Sequence, residues 1–230
     1  GKETPLNALD GIPITSIESP HSTTFENIYT DAGRAQYLRA QAARVDLDTV
    51  PPLWRNASII HLAPIANEID SSLPNDFSPA LLGVTPQGWM RHWDSSGRVS
   101  RSEWSDSESV LHKANAVVIS REDVNGDHEL IEQMAHQTRM LVVTEGAEGC
   151  VLHWNGDRRR FRAPDVNEVD ATGAGDVFAT AFFIRLLRTR DPWEAARFAT
   201  LIASISVTRV GLGGIPTQAE IESCLMEVLQ

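Results

Sequence analysis

The amino-acid sequence predicts an α/β fold, a mostly parallel sheet between helices with a small β hairpin ahead of it. Three observations carry this prediction: short apolar strands alternate with amphipathic segments from Pro51 onward, the last third is strongly helical, and residues 12–41 read as β structure. The expected division is a hairpin-bearing unit over 1–45 and an α/β unit over 46–230.

In chain order, Ile12, Ile14 and Ile17 suggest a short extended stretch. Phe25 to Tyr29 is expected to pair with Arg34 to Arg39 across Thr30-Asp31-Ala32-Gly33. The polar content of this hairpin (Thr23, Thr24, Glu26, Asn27, Gln36) suits a sheet with one face over a ligand or partner, or an edge hairpin with no ligand contact. Strands are expected at Ser58–Leu62, Ala80–Val84, Ala116–Ser120, Leu141–Thr144 and Val151–Trp154. Helices are expected at Ser107–Ala114 and Asp127–Thr138, the second with Leu130, Ile131 and Met134 on one face. Three more follow at Ala174–Arg188, Trp193–Arg209 and Thr217–Leu229, with Asp191-Pro192 and Pro216-Thr217 as start signals. The middle helix is apolar nearly all round and should be buried on several sides. Trp89, Trp93 and Trp104 have the usual fate of large aromatics, the core, as their first expectation.

With 230 residues, 42% hydrophobic and 22% charged, the chain is long enough for one large domain with a real core. A formal net charge of −11 argues against a broad nucleic-acid interface. The one dense basic run, Arg158-Arg159-Arg160, follows the turn signal Asn155-Gly156-Asp157 and reads as a solvated hairpin arm. Cys150 and Cys224 have no metal-ligand spacing, which leaves buried thiols. No apolar run reaches membrane-spanning length and the start lacks the order of a secretory signal, so a cytoplasmic enzyme is expected.

The chemistry concentrates in Val169-Asp170-Ala171-Thr172-Gly173-Ala174-Gly175-Asp176-Val177-Phe178. Small residues where an extended connection enters a helix let the backbone approach a phosphate, and free N–H groups at the helix start stabilise anionic charge. Asp176, in the first turn, is then placed to accept a proton from an attacking hydroxyl. The alternative at this point is that Asp176 offsets the helix dipole and Asp170 merely caps.

The DATGAGD segment followed by an apolar helix resembles the second signature of the ribokinase, or PfkB, family of carbohydrate kinases. The resemblance implies a ribokinase-like three-layer sandwich with a β lid, and ATP- and Mg²⁺-dependent phosphorylation of a sugar, cyclitol or nucleoside hydroxyl. By it Asp176 is the catalytic base and contacts substrate, Gly173, Ala174 and Gly175 form the anion hole, and Asp170 with Thr172 lies near a monovalent-cation (K⁺) site. Leu141 to Gly149 resembles the strand and glycine turn beside ATP, implying nucleotide contacts from Thr144, Gly146 and Gly149. Phe198-Ala199-Thr200 through Gly211 to Ile215-Pro216-Thr217 resembles the adenine-side helix and loop, which adds Thr200. The family's Asn and Glu element after a strand is represented by Ser120-Arg121-Glu122-Asp123, so Ser120 stands at a phosphate contact and Glu122 or Asp123 acts on Mg²⁺. The alternative for that segment is a helix-capping SxxD. Gly83 to Arg91 resembles the inositol-kinase branch. The Thr23–Asn27 hairpin resembles the family's lid, implying Asn27 as a substrate contact and a homodimer through the lid.

The family's opening strand and double-glycine sugar motif do not occur in residues 1–60, so the chain is expected to cover only the later part of that fold. Two alternatives accompany the kinase reading: a non-catalytic nucleotide- or partner-binding relative, and a kinase for a hydroxymethyl group on a vitamin-like heterocycle.

Overall fold

The structure is a computed structural model and describes residues 9–30 and 33–225. A hairpin of β1 (Thr24–Thr30) and β2 (Gly33–Ala40) comes first, followed by β3 (Ile59–Leu62) and β4 (Leu81–Val84). A short pair, β5 (Arg91–Trp93) and β6 (Val99–Arg101), precedes α1 (Ser107–Lys113), β7 (Ala116–Ser120), α2 (His128–Gln137) and β8 (Met140–Thr144). Then come β9 (Cys150–Trp154), β10 (Asp157–Phe161), α3 (Ala174–Thr189), α4 (Pro192–Ser206) and α5 (Gln218–Cys224).

Six strands form the main sheet in the order β10-β9-β8-β7-β4-β3. β3, β4, β7 and β8 run parallel, while β9 and β10 run antiparallel at one edge. The parallel strands are near-continuous apolar runs because helices cover both faces. Alternate side chains divide between two cores, as the two-residue period of a strand requires. Val117, Ile119, Leu141 and Val143 pack with Val110, Leu111, Ile131 and Met134 of α1 and α2. Ala116, Val118, Val142 and Leu152 pack with Phe178, Phe182 and Phe183 of α3 and Ala195, Ala196 and Ala199 of α4. Trp89 and Trp104 stack in the first core at 5.5 Å, and the Trp89 indole N–H donates to the Ile69 carbonyl at 2.8 Å.

Helix starts follow the sequence signals. Asp127 caps α2, Asp191 caps α4 with Pro192 at its first position, and Thr217 with Glu220 forms a capping box on α5. α4 is buried on several sides, as its composition predicts, but stops at Ser206, where residues 207–208 tighten into a turn with the Thr208 N–H on the Ile205 carbonyl at 3.2 Å. α5 is followed to Cys224; the rest of its expected span, from 226, lies outside the described residues, as do Asp31 and Ala32 of the hairpin turn. Ile12, Ile14 and Ile17 form no strand, and the first two are exposed.

The lid carries a part that the strand pattern did not suggest. The Leu38 N–H donates to the Gly97 carbonyl at 2.8 Å and Tyr37 bridges Arg98, which lays β5–β6 against β2. A side chain at Gly97 would put its Cβ 2.4 Å from the Leu38 oxygen, and its φ is +85°, so the seam requires glycine. The Arg158–Arg160 run lies on β10, where Arg159 stacks over Trp193 at 4.2 Å, Arg160 pairs with Glu145 and Arg158 lies 3.6 Å from Glu132. That is the solvated hairpin arm its sequence suggests, to which the structure adds the ion pairs.

Candidate active site

Two clusters hold most of the chemistry-bearing residues. The first is the turn into α3. Gly173 sits in the left-handed region (φ +81°), a conformation open to glycine at little cost, and it turns the chain so that Ala174 starts the helix. No side chain caps α3, a feature it shares with the short α1, whereas α2, α4 and α5 are each capped. A Cβ built on either Gly173 or Gly175 would meet nothing within 4 Å, so the backbone there is open to an approaching group.

Asp170 organises this turn. One carboxylate oxygen accepts the Thr172 N–H at 2.9 Å and the other accepts the Gly211 N–H at 2.9 Å, joining the entry of α3 to the loop after α4. The bond from Gly211, then those from Thr172, hold the Asp170 carboxyl below its ordinary range. Val169 and Asp170 also donate their N–H groups to the Val207 carbonyl, closing the same junction. Each Asp170 oxygen holds one backbone N–H, which leaves each a lone pair for the cation that the sequence reading places near it. Asp176 remains accessible in the first turn of α3, yet enough protein surrounds it that desolvation raises its carboxyl above the ordinary range. A raised carboxyl holds a proton more readily, the property a proton acceptor needs.

The second cluster is a cavity of about 640 Å³ at the carboxyl ends of β4 and β7, roofed by β2 and the β5–β6 pair. Ser120, Glu122 and Asp123 line it, joined by Gln36, Gln87, Arg91, Arg98 and Arg101. Carboxyl ends of parallel strands are where ligands bind in open α/β sheets. The Asp123 carboxylate accepts the Ser120 N–H at 2.8 Å and the Gln87 amide at 2.8 Å. It caps a turn rather than a helix, because α2 begins only at His128. The Ser120 hydroxyl accepts the Glu122 N–H at 3.1 Å.

Other expected residues are scattered. Thr144 ends β8 directly beside Ser120 in the strand register, its hydroxyl on the Ile119 carbonyl at 3.3 Å. Gly146 has φ +58° and open space around it, while Gly149 has a packing reason: its Cβ would stand 2.0 Å from the Phe161 oxygen. Thr200 is a correction. It is 4% exposed in the middle of α4, with its hydroxyl on the Ala196 carbonyl at 2.8 Å and near the Cys150 sulfur, so it faces the core and no nucleotide. Burial pushes the Cys150 thiol up to about 11, so it is an inert core residue. Asn27 is exposed on β1 and accepts from the Gln36 amide at 3.0 Å; Gln36, its partner across the hairpin, is the one that lines the cavity. The arginines of β5–β6 were missed, although their spacing about the turn signal Asp94-Ser95-Ser96-Gly97 marks a short hairpin.

Comparison with known proteins agrees with this arrangement. Residues 106–218 match the family described as pfkB family carbohydrate kinase, a span that holds β7 to α4 and both halves of the α3 junction. A fructokinase of Escherichia coli is 26% identical over 242 aligned residues, 93% of this chain and 78% of that protein. A ribokinase of Bacillus subtilis is 38% identical over 97 residues, 41% of this chain and 32% of that protein. Among solved structures, a pyrophosphate-dependent kinase in the ribokinase family superposes with a TM-score of 0.73 at 18% identity, covering 90% of this chain and 75% of that one. The sheet order, the glycine turn and these likenesses converge on the ribokinase, or PfkB, family of carbohydrate kinases as what this chain is similar to, most directly over residues 106–218.

Proposed function

We propose that this protein transfers the γ-phosphoryl group of ATP to a hydroxyl of a sugar, cyclitol or nucleoside, with Asp176 as general base. The observation that carries the reading is the turn at Gly173, which presents an uncapped helix start with a raised carboxyl in its first turn. The hydroxyl proton passes to the Asp176 carboxylate as the oxygen attacks the γ-phosphorus, the bond to the bridging oxygen breaks, and ADP leaves. The N–H groups of Gly173 and Gly175, joined by that of Ala174 once its 3.2 Å bond to the Ala171 carbonyl gives way, stabilise the charge on the transferring group.

The exposed apolar loop that Asp170 ties to this turn (Val210, Leu212 and Ile215) offers a platform for a nucleotide base, and Thr144 and Gly146 are the further nucleotide contacts of this reading. Mg²⁺ supplies neutralisation of the phosphate charge when bound. Ser120, Glu122 and Asp123 are oxygen donors only and fit a hydrated Mg²⁺. In this reading the β1–β2 hairpin acts as a lid over the acceptor, excluding water that would otherwise compete for the phosphoryl group.

A second reading rests on Asp123, whose oxygens already serve Ser120 and Gln87: a nucleotide-binding relative without turnover. The separating experiment is ADP release by the full-length protein with Mg²⁺ and ATP over a panel of sugars, cyclitols and nucleosides. Acceptor-dependent release upholds the kinase; ATP binding with no release on any acceptor favours the second reading.

A further inference from the structure

The chain is acidic overall, with 31 Asp and Glu against 20 Lys and Arg, yet two arginines of one short strand pair, Arg91 and Arg101, and Arg98 in the connection between them line a single cavity. Arg91 donates to the Ile65 carbonyl at 3.0 Å and its guanidinium lies 5.1 Å from the Phe25 ring of the hairpin. Arg101 lies 3.5 Å from the Asp127 carboxylate. Arg98 is exposed, with its backbone N–H on Asp94 and its charge helping to hold the Asp94 carboxyl low. The carboxylates of Glu122 and Asp123 lie in the same lining, so the cavity is bipolar: guanidinium groups suited to an oxyanion and carboxylates suited to hydroxyls or a hydrated cation.

We propose that this cavity binds an oxyanion carried by the acceptor, a phosphate or a carboxylate, through Arg98 with Arg91 and Arg101, so that the acceptor is an anionic sugar or polyol. The inference rests on the phosphoryl-transfer reading above. The acceptor is favoured over the donor because the roof is continuous with the β1–β2 hairpin, read above as the lid over the acceptor, and Gln36 of that hairpin lines the cavity. A positive wall in a concave, otherwise acidic molecule also concentrates anionic ligands there.

The test measures KM for matched acceptors with the full-length protein and MgATP: neutral sugars, their monophosphates and the corresponding sugar acids. The expected result is a KM about tenfold or more lower for an anionic member than for its neutral match. Arg98→Gln should erase that preference by raising KM for the anionic member alone, Arg98→Lys should restore part of it, and thermal stability should stay unchanged in both. Phosphates and sugar acids in separate arms identify which oxyanion is read. Equal use of neutral and anionic acceptors would overturn the proposal, as would a rise in KM for ATP, which would assign the arginines to the donor. If no acceptor is phosphorylated, the kinase reading fails separately, and calorimetric binding of the same pairs decides the site. Selective binding of anionic members that Arg98→Gln abolishes upholds it; no selective binding refutes it.

Discussion

Gly83 in β4 is where the sheet lets α3 approach, and Gly83→Ala tests whether that approach positions the active turn. A Cβ at residue 83 would lie 2.6 Å from the Phe183 ring. Ordinary carbon contacts are about 3.5–4.0 Å, so the ring must retreat by about 1 Å. It has nowhere to go: Phe183 is 1% exposed and is held edge-on by His61 at 4.9 Å and Phe182 at 5.9 Å. Overpacking of this kind costs about 1–3 kcal/mol, against a gain of roughly 0.5–1 kcal/mol from stiffening the unfolded chain. The net loss should lower Tm by a few degrees, at about 2–4 °C per kcal/mol for a chain of this size. Because α3 also carries Asp176, kcat should fall with it. Urea and thermal unfolding of Gly83→Ala, Phe183→Leu and the double variant measure the coupling, with the double variant expected to recover stability relative to additivity. Gly83→Ala as stable as the parent would refute the reasoning.

Three further outcomes follow from the same geometry. His61 is largely buried, with its ring nitrogen 3.0 Å from the Thr85 hydroxyl, and desolvation lowers it to about 4 from 6.5. The unfolded chain therefore binds the extra proton first. The penalty on the folded state is absent above pH 6.5 and grows as pH falls towards 4, reaching about 3 kcal/mol at ~1.4 kcal/mol per pH unit. His61→Leu should flatten the stability profile in that window relative to the parent, and an unchanged slope would contradict it. Thr200→Val should leave ATP affinity unaltered while costing about 1 kcal/mol of stability, since its hydroxyl bonds only within the core; weakened nucleotide binding at parental stability would restore it to the site. Gly149→Ala should be severely destabilising because of the Phe161 contact, whereas Gly146→Ala should cost only about 1–2 kcal/mol of left-handed strain and act mainly on ATP affinity, as separate melting and titration would report.

Much of the architecture was legible because its signals are local. The parallel strands are compact apolar runs, and the helices that follow carry their own caps, so β7 was placed to the residue and α2 to within one at each end. The glycine turn before α3 was equally legible as a turn, since Gly173 takes the left-handed backbone that glycine adopts at little cost where the extended connection enters the helix. What escaped depends on tertiary context. The β5–β6 pair is three residues per strand and owes its existence to docking on β2, so no window of periodicity reveals it. Thr200 sits in a segment of the right composition, but only the packing of α4 against β9 turns its hydroxyl inward. Asp170 looked like a cap or a cation ligand; the second half of its role lies on Gly211, 41 residues along the chain.

The central claim is that Asp176 takes the proton from the attacking hydroxyl. Its most direct test is mass-spectrometric detection of phosphorylated acceptor formed from MgATP by the parent and by Asp176→Asn, with ATP affinity measured on both. The account predicts product from the parent, a loss of about 10²–10⁴-fold or more in kcat for the variant, and ATP affinity largely retained. Product formed by Asp176→Asn at the parental rate would contradict it.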